Sequence, residues 1–189
     1  MTQNEFKDCL AKYADEIAQI REAAHKLHEN VNQTYDRVHP YGFHLDMVAD
    51  SVYKYGHHVC VEEKDVLPLF FGAFFHDSME DARQTYNAVM ITARRWMDDE
   101  QALLAAEIVY ALTNDKGRTR AERAGEKYYK GIRETPYAPF VKLADRLARK
   151  LEEKEGTLID CQLETPHLKS MGGRFIPYDQ YMEIMNSDM

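Results

Sequence analysis

The stretch Val66–Phe75, VLPLFFGAFF, decides how the fold is interpreted, because it is almost wholly apolar and leads directly into His76-Asp77. Its composition alone fits either a buried strand or a buried helix. No neighbouring segment alternates like a sheet partner, and Pro68 is well placed for the first turn of a helix. A buried helix that delivers a histidine and an aspartate at its end is therefore favoured.

Helical periodicity extends outward from this segment over most of the chain. Apolar residues recur every three or four positions from Phe6 to Val31, which predicts one long amphipathic helix. Without a convincing hairpin signal, we expect an all-α bundle: a single domain over residues 1–154, with residues 155–189 as a C-terminal extension packed on it. The other predicted helices cover residues 44–55, 83–97, 99–112, 119–131, 137–153 and 178–185.

Composition narrows the class of protein. Hydrophobic residues make up 44% and charged residues 30%, as in an ordinary globular domain. No run approaches the roughly 18 apolar residues of a membrane span, so no membrane partner is expected. The N-terminus lacks a secretory signal and the three cysteines are scattered, which favours a cytoplasmic location. The net charge of -8 disfavours duplex nucleic acid as a partner.

Polar, titratable residues cluster where the apolar segment ends. His76 and Asp77 are adjacent, and Glu80 and Asp81 follow one helical turn later. Charged groups at the edge of a core are costly unless they are paired or bind a metal. His76 and Asp77 are therefore candidate metal ligands, and Glu80 and Asp81 candidate catalytic acids or bases beside them. The alternative is an acidic surface turn after a core helix.

Two distant segments supply further candidate ligands. His44 follows PYGF at the start of a predicted helix, and Asp145 lies within VKLADRL on an amphipathic helix. The alternatives are a surface histidine and an exposed aspartate paired with Arg146 or Arg149. Imidazole and carboxylate ligands without a thiolate suit zinc, iron, manganese or magnesium.

The order H…HD…D and its surroundings resemble the HD phosphohydrolase superfamily. The sequence around these residues looks like the hydrolase domain of the RelA/SpoT proteins and the small metazoan SpoT homologue. Residues 24–44 resemble that family's A-x-x-x-H followed by P-Y-x-x-H, and residues 74–81, FFHDSMED, resemble its L-L-H-D-x-x-E-D. Residues 112–116 resemble its V-T-x-D-K, and residues 141–147 its V-K-L-A-D-R-L.

This resemblance implies an HD-domain helical bundle and an enzyme that hydrolyses a phosphorylated nucleotide. The expected reaction is removal of the 3′-pyrophosphate from guanosine tetraphosphate. One divalent ion, Mn²⁺ with Fe²⁺, Zn²⁺ or Mg²⁺ as alternatives, would bind His44, His76, Asp77 and Asp145. Glu80 and Asp81 would act as catalytic groups on the water or the leaving oxygen. Candidate substrate-binding residues are Lys26, His28, Lys116, Lys142 and Arg149.

One departure from the family leaves the substrate open. The family usually has Asn where this chain has Arg149, four residues after Asp145 and on the same helix face. A guanidinium there suits an additional phosphate. The alternatives are therefore a nucleotidase or nucleoside triphosphate phosphohydrolase of the HD type, and a non-catalytic nucleotide-sensing domain. The sequence does not determine the oligomeric state.

Overall fold

The structure, a computed structural model, describes residues 1–35, 39–114, 119 and 123–153, with side chains up to residue 149. The chain divides into two units, Met1–Ala148 and Arg149–Met189. The predicted extension, residues 155–189, and its helix at 178–185 lie outside the described residues. The expected domain boundary after residue 154, and the packing of the extension, stay predictions.

Helices make up most of the described residues. The predicted helix over residues 99–112 is confirmed with the same bounds. The predicted helix over residues 83–97 is shorter, because Thr85 caps its first turn and Arg94 ends it. The α-helices are α1 Gln3–Lys12, α2 Ala14–Glu29, α3 Gly42–Tyr55, α4 Val66–Phe75, α5 Tyr86–Ala93, α6 Asp99–Leu112, α7 Glu126–Glu134 and α8 Ala138–Glu153. Short 3-10 turns occupy Gly56–His58 and Glu63–Asp65.

The expected single helix from Phe6 to Val31 is wrong, because Tyr13 interrupts it and divides it into two helices. Tyr13 has φ -103° and ψ 18°, outside the helical region, and ends α1 before α2 begins. The N-terminus of α1 is fixed by a capping box between Thr2 and Glu5. The apolar spacing continues across the break, so periodicity alone did not reveal two helices.

The apolar segment forms the central helix of the first unit, which confirms the prediction for Val66–Phe75. Every residue of α4 is buried, and α2, α3 and α6 pack around it. Gly72 permits the close contact with α6, since a Cβ built on it would lie 2.5 Å from Cγ2 of Ile108. Burying all sides of α4 fixes its end, and therefore His76 and Asp77, at the interior of the unit.

A small strand pair corrects the expectation that no hairpin is present. β1 Thr34–Tyr35 pairs antiparallel with β2 His39–Pro40 just before α3. Whether the helices form an HD-type bundle stays a prediction, because helical content alone does not define a fold family. Among the described residues, no helix has both the length and the apolar character needed to cross a membrane.

Candidate metal centre

His44 lies in the first turn of α3, where it is completely buried. Its backbone N–H donates to the carbonyl oxygen of Tyr41 at 3.0 Å. Gly42 allows this helix start to approach α2, because a Cβ there would lie 2.6 Å from Nδ1 of His25. Close packing of α3 on α2 thus directs the His44 imidazole into the interior.

His76 and Asp77 follow the last turn of α4 and are also buried. The Nδ1 of His76 is 2.8 Å from the carbonyl oxygen of Ala73. Because a carbonyl only accepts, Nδ1 carries the proton and donates it there, which leaves Nε2 to face the carboxylates. This is the usual way in which a metal-binding histidine is oriented by a backbone group.

Asp145 completes the cluster from α8, far along the chain from the other three residues. Its Oδ1 lies 3.3 Å from Nε2 of His44 and 3.7 Å from Nε2 of His76. Its Oδ2 accepts a hydrogen bond from Nζ of Lys142 at 3.0 Å. The carboxylate is therefore buried between two imidazoles and one ammonium group.

The four side chains converge on one point, which we call the His/Asp cluster: His44, His76, Asp77 and Asp145. One ligand atom from each lies within 4.8 Å of the others. The two Nε2 atoms are 3.3 Å apart, and Oδ2 of Asp77 is 3.0 Å from Nε2 of His76. Two ligand atoms that each lie about 2.0–2.2 Å from one ion are separated from each other by distances like these 3.3 Å and 3.0 Å contacts.

The cluster is strongly polarised. Burial by itself would lower the pKa of His76, but the carboxylates of Asp77 and Asp145 outweigh it and raise that pKa to about 10. Burial would raise the pKa values of both aspartates, yet the pKa of Asp77 is held far below its usual range by His76 and Tyr41. The pKa of Asp145 is lowered by His44, His76 and Lys142 despite its burial. Both carboxylates are thus anionic and suited to a cation.

The two predicted catalytic acids lie outside the cluster and have other partners. Glu80 is exposed, and its carboxylate accepts from the backbone N–H and the side-chain amide of Asn114, the latter at 3.0 Å. Asp81 is exposed, and its Oδ2 accepts from Nε2 of Gln33 at 2.7 Å. Each carboxylate therefore holds a neighbouring segment in place.

The predicted substrate-binding residues separate in space. His28 is buried and stacks on Tyr41 beside the cluster, and Lys142 contacts Asp145. Burial would lower the pKa of Lys142, but Asp145 and Tyr128 raise it, so this amine is charged. Lys26 instead lines a surface cavity of about 470 Å³.

For the two other predicted substrate-binding residues, Arg149 and Lys116, no position relative to the cluster is established. Arg149 is exposed and begins the second unit, so its predicted location beside Asp145 stays a prediction. Lys116 lies outside the described residues.

Two aromatic residues, Tyr35 and Tyr41, pack against the cluster, and no signal in the sequence indicated their role. Tyr35 stacks on His44 with 4.7 Å between ring centroids, and the Tyr41 hydroxyl donates to Oδ2 of Asp77. Tyr41 was noted only as part of PYGFH. A buried hydroxyl requires a partner, but nothing in the local sequence identifies Asp77 as that partner.

Comparison with known proteins finds similarity to a family other than the HD phosphohydrolases. The sequence profile of the leucyl/phenylalanyl-tRNA protein transferase family matches residues 125–186. The transferase of Thiobacillus denitrificans is 69% identical over 32 residues, which are 17% of this chain and 14% of that protein. The transferase of Nitrosomonas europaea is 52% identical over 40 residues, 21% of this chain and 17% of that protein. No solved structure matches the chain.

These findings overturn the identification with the RelA/SpoT-type HD phosphohydrolases. The expected enzyme class, the hydrolysis of a nucleotide and the small nucleotide partner are wrong, because the matched relatives are aminoacyl-tRNA–protein transferases. The names of these relatives specify tRNA, whereas the expectation from net charge concerned duplex nucleic acid and stays a prediction. The physical reason is that two imidazoles and two carboxylates select a cation but do not specify a reaction.

Proposed function

We propose that residues 125–186 take part in transferring a leucyl or phenylalanyl group from tRNA to a protein. The carrying observation is the family match over this segment, together with 69% identity to one transferase over 32 residues. The aligned segments span less than a fifth of each relative's length, so the activity, the tRNA and the acceptor protein are proposals for this chain.

The proposed reaction exchanges one acyl bond for another. The ester that joins the amino acid to tRNA breaks, an amide forms with an amine of the acceptor protein, and one proton passes from that amine to the tRNA oxygen, which leaves as a hydroxyl. The amine must attack in its neutral form, because only the unprotonated nitrogen has a free electron pair. Among the described residues, α7 and the whole of α8 belong to the matched segment.

A transfer assay tests this proposal. Full-length protein is mixed with tRNA carrying labelled leucine and with a panel of unfolded polypeptides, and label in protein is counted after the tRNA has been hydrolysed. We expect labelled polypeptide with the full chain and none with a chain that ends at residue 153. Asp77→Ala, which leaves residues 125–186 unchanged, is the matched variant. No transfer by the full chain to any acceptor would contradict the proposal.

We propose, secondly, that the His/Asp cluster binds one divalent metal ion. The carrying observation is the convergence of four buried ligand atoms from α3, α4 and α8 within 4.8 Å. Because the donors are mixed nitrogen and oxygen, we favour Mn²⁺, with Fe²⁺, Zn²⁺ or Mg²⁺ as alternatives.

The residues present fit such an ion. The Nε2 atom of His76 faces the carboxylates because its Nδ1 proton is donated to Ala73. The anionic Asp77 and Asp145 would balance the charge of a divalent cation. When bound, the ion would supply a Lewis acid that polarises a ligand oxygen. Lys142 holds the second oxygen of Asp145 and so fixes its orientation.

Metal analysis of purified protein tests the site. We expect about one Mn²⁺ per chain after loading and gel filtration, as for a single site with four protein ligands. Asp77→Ala removes one ligand and should abolish binding. Asp50→Ala is the matched control, since Asp50 is exposed on α3. Equal metal content in wild type and Asp77→Ala would show that the cluster is not the site.

We also propose a cytoplasmic location. Cys9 and Cys60 are both buried free thiols, as expected in a reducing compartment. Fractionation of cells that express the tagged chain tests this proposal, and recovery with the secreted fraction would refute it.

A further inference from the structure

Tyr41 contacts the His/Asp cluster through a buried hydrogen bond. Its hydroxyl donates to Oδ2 of Asp77. The same oxygen lies 3.0 Å from Nε2 of His76 and 3.9 Å from Nε2 of His44. The tyrosine therefore touches the oxygen that faces the other ligands.

The Tyr41 ring is fixed on three sides. It stacks on His28 with ring centroids 4.6 Å apart, and it meets the edges of Tyr35 and His44 at 6.1 Å and 5.4 Å. Only 5% of its surface is exposed. Such packing leaves the hydroxyl little freedom to move away from Asp77.

His28 is itself held by a chain of hydrogen bonds. Its Nδ1 donates to Oε1 of Gln33 at 2.7 Å, and Nε2 of Gln33 donates to Oδ2 of Asp81 at 2.7 Å. Burial lowers the pKa of His28, which keeps the ring neutral and its Nδ1 proton available for Gln33. Asp81 at the surface therefore helps to orient Gln33, Gln33 orients the His28 ring, and His28 packs on the Tyr41 ring in the interior.

We infer that Tyr41 is a positioning residue that fixes Oδ2 of Asp77 for metal binding, and that Asp81, Gln33 and His28 act through it. This inference rests on the proposed metal site. A free carboxylate rotates about its terminal torsion, which is broad, and so presents its oxygens in many directions. A donor to one oxygen selects the orientation in which the metal can be bound, and such donors commonly contribute roughly 10- to 100-fold to metal affinity.

A conservative substitution separates positioning from packing. Tyr41→Phe keeps the ring stack on His28 and removes only the hydroxyl. We expect Mn²⁺ affinity, measured by equilibrium titration of the full chain, to fall roughly 10- to 100-fold. The circular dichroism spectrum should not change. Tyr53→Phe is the matched control, because it removes an exposed hydroxyl from α3 and should bind Mn²⁺ as wild type does.

A double variant tests the chain of contacts. Gln33→Leu alone should weaken Mn²⁺ binding several-fold, because His28 and Tyr41 lose their support. Combined with Tyr41→Phe it should cause no further loss, since both changes interrupt one path. Gln33 is half-exposed, so this variant also tests the inference if Tyr41→Phe does not fold.

The outcomes distinguish the two proposals. Wild-type affinity in both Tyr41→Phe and Gln33→Leu overturns the positioning role while the metal site stands. Fully additive losses leave Tyr41 but remove Gln33 and Asp81 from the path. Absence of Mn²⁺ binding by the wild-type chain contradicts the metal site itself, and the positioning role is then refuted with it.

Discussion

Glu80 illustrates how a single carboxylate gains a role from its surroundings. It follows His76-Asp77 by one helical turn, yet it binds both the backbone and the side chain of Asn114, just after α6. This contact joins the turn after α4 to the end of α6. The contact with Asn114 therefore indicates that Glu80 stabilises the fold at this point.

Replacing Glu80 should affect stability more than metal binding. We expect Glu80→Ala to lower the free energy of unfolding by about 0.5–1.5 kcal/mol, the usual net value of a hydrogen bond, because the exposed pair is screened by water. Metal content should equal that of wild type. Chemical denaturation and metal analysis check both points, and loss of the metal would mean that Glu80 is a ligand.

Cys60 should be chemically inert in the folded protein. Burial raises the pKa of its thiol to about 12, with a further contribution from Asp65. At pH 8 only about one thiol in 10⁴ would be ionised, so iodoacetamide should react very slowly until the protein is unfolded. Peptide mapping of native and denatured samples measures this. Rapid native alkylation of Cys60 would show that the site is open.

The same thiol gives a pH dependence of stability with a definite sign. The folded pKa exceeds the unfolded value of about 8.5, so the folded state holds the proton more tightly. Its contribution is complete below about pH 8.5 and is lost as the pH rises towards 12. Denaturation at pH 8 and pH 10 should show a smaller loss for Cys60→Ala than for wild type. An equal loss would refute the assignment.

At the scale of helices, the contact of α4 with α6 depends on Gly72. A side chain there would meet Ile108 at 2.5 Å, closer than atoms pack in folded proteins. Gly72→Ala should therefore destabilise the protein by about 1–3 kcal/mol through overpacking. Gly131→Ala on α7 is the matched control, because among the described residues no atom beyond its chain neighbours and its own helix backbone lies within 4 Å of the added Cβ. Alanine favours a helix over glycine by about 1 kcal/mol.

Denaturant titrations of both glycine variants test the contact. Ile108→Ala, which removes the Cγ2 atom, should cost less stability in the Gly72→Ala background than in wild type, since it relieves the clash. Similar stability of Gly72→Ala and wild type would show that α4 and α6 can separate without cost.

At the scale of the whole molecule, metal binding and folding should be linked. The ligands come from α3, α4 and α8, so the cluster exists only when these helices are assembled. At free Mn²⁺ 100-fold above Kd, the free energy of unfolding of the first unit should rise by about 2.7 kcal/mol. Thermal unfolding with and without Mn²⁺ measures this. Asp77→Ala should show no shift, and an equal shift in that variant would indicate binding elsewhere.

Local sequence predicted most of the helical segments and the residue types of the candidate site, although not every helix boundary. The apolar run from Val66 predicted a buried helix, and His44, His76, Asp77 and Asp145 were selected by residue type and order. Hydrophobic spacing and ligand chemistry are properties of short segments, so they are readable without the fold. The same motifs suggested a reaction that the comparisons contradict, because ligand chemistry does not specify a substrate.

Only the tertiary structure decided which side chains meet. Tyr41 contacts Asp77 and Gln33 contacts Asp81 across 36 and 48 residues of chain. It also placed Lys26 at a surface cavity and His28 beside the cluster, although the two are nearly adjacent in sequence. Such partners depend on how α2 and α3 pack on α4. Because that packing is the sum of many apolar contacts rather than a local pattern, these hydrogen bonds and their directions arise only in the assembled fold.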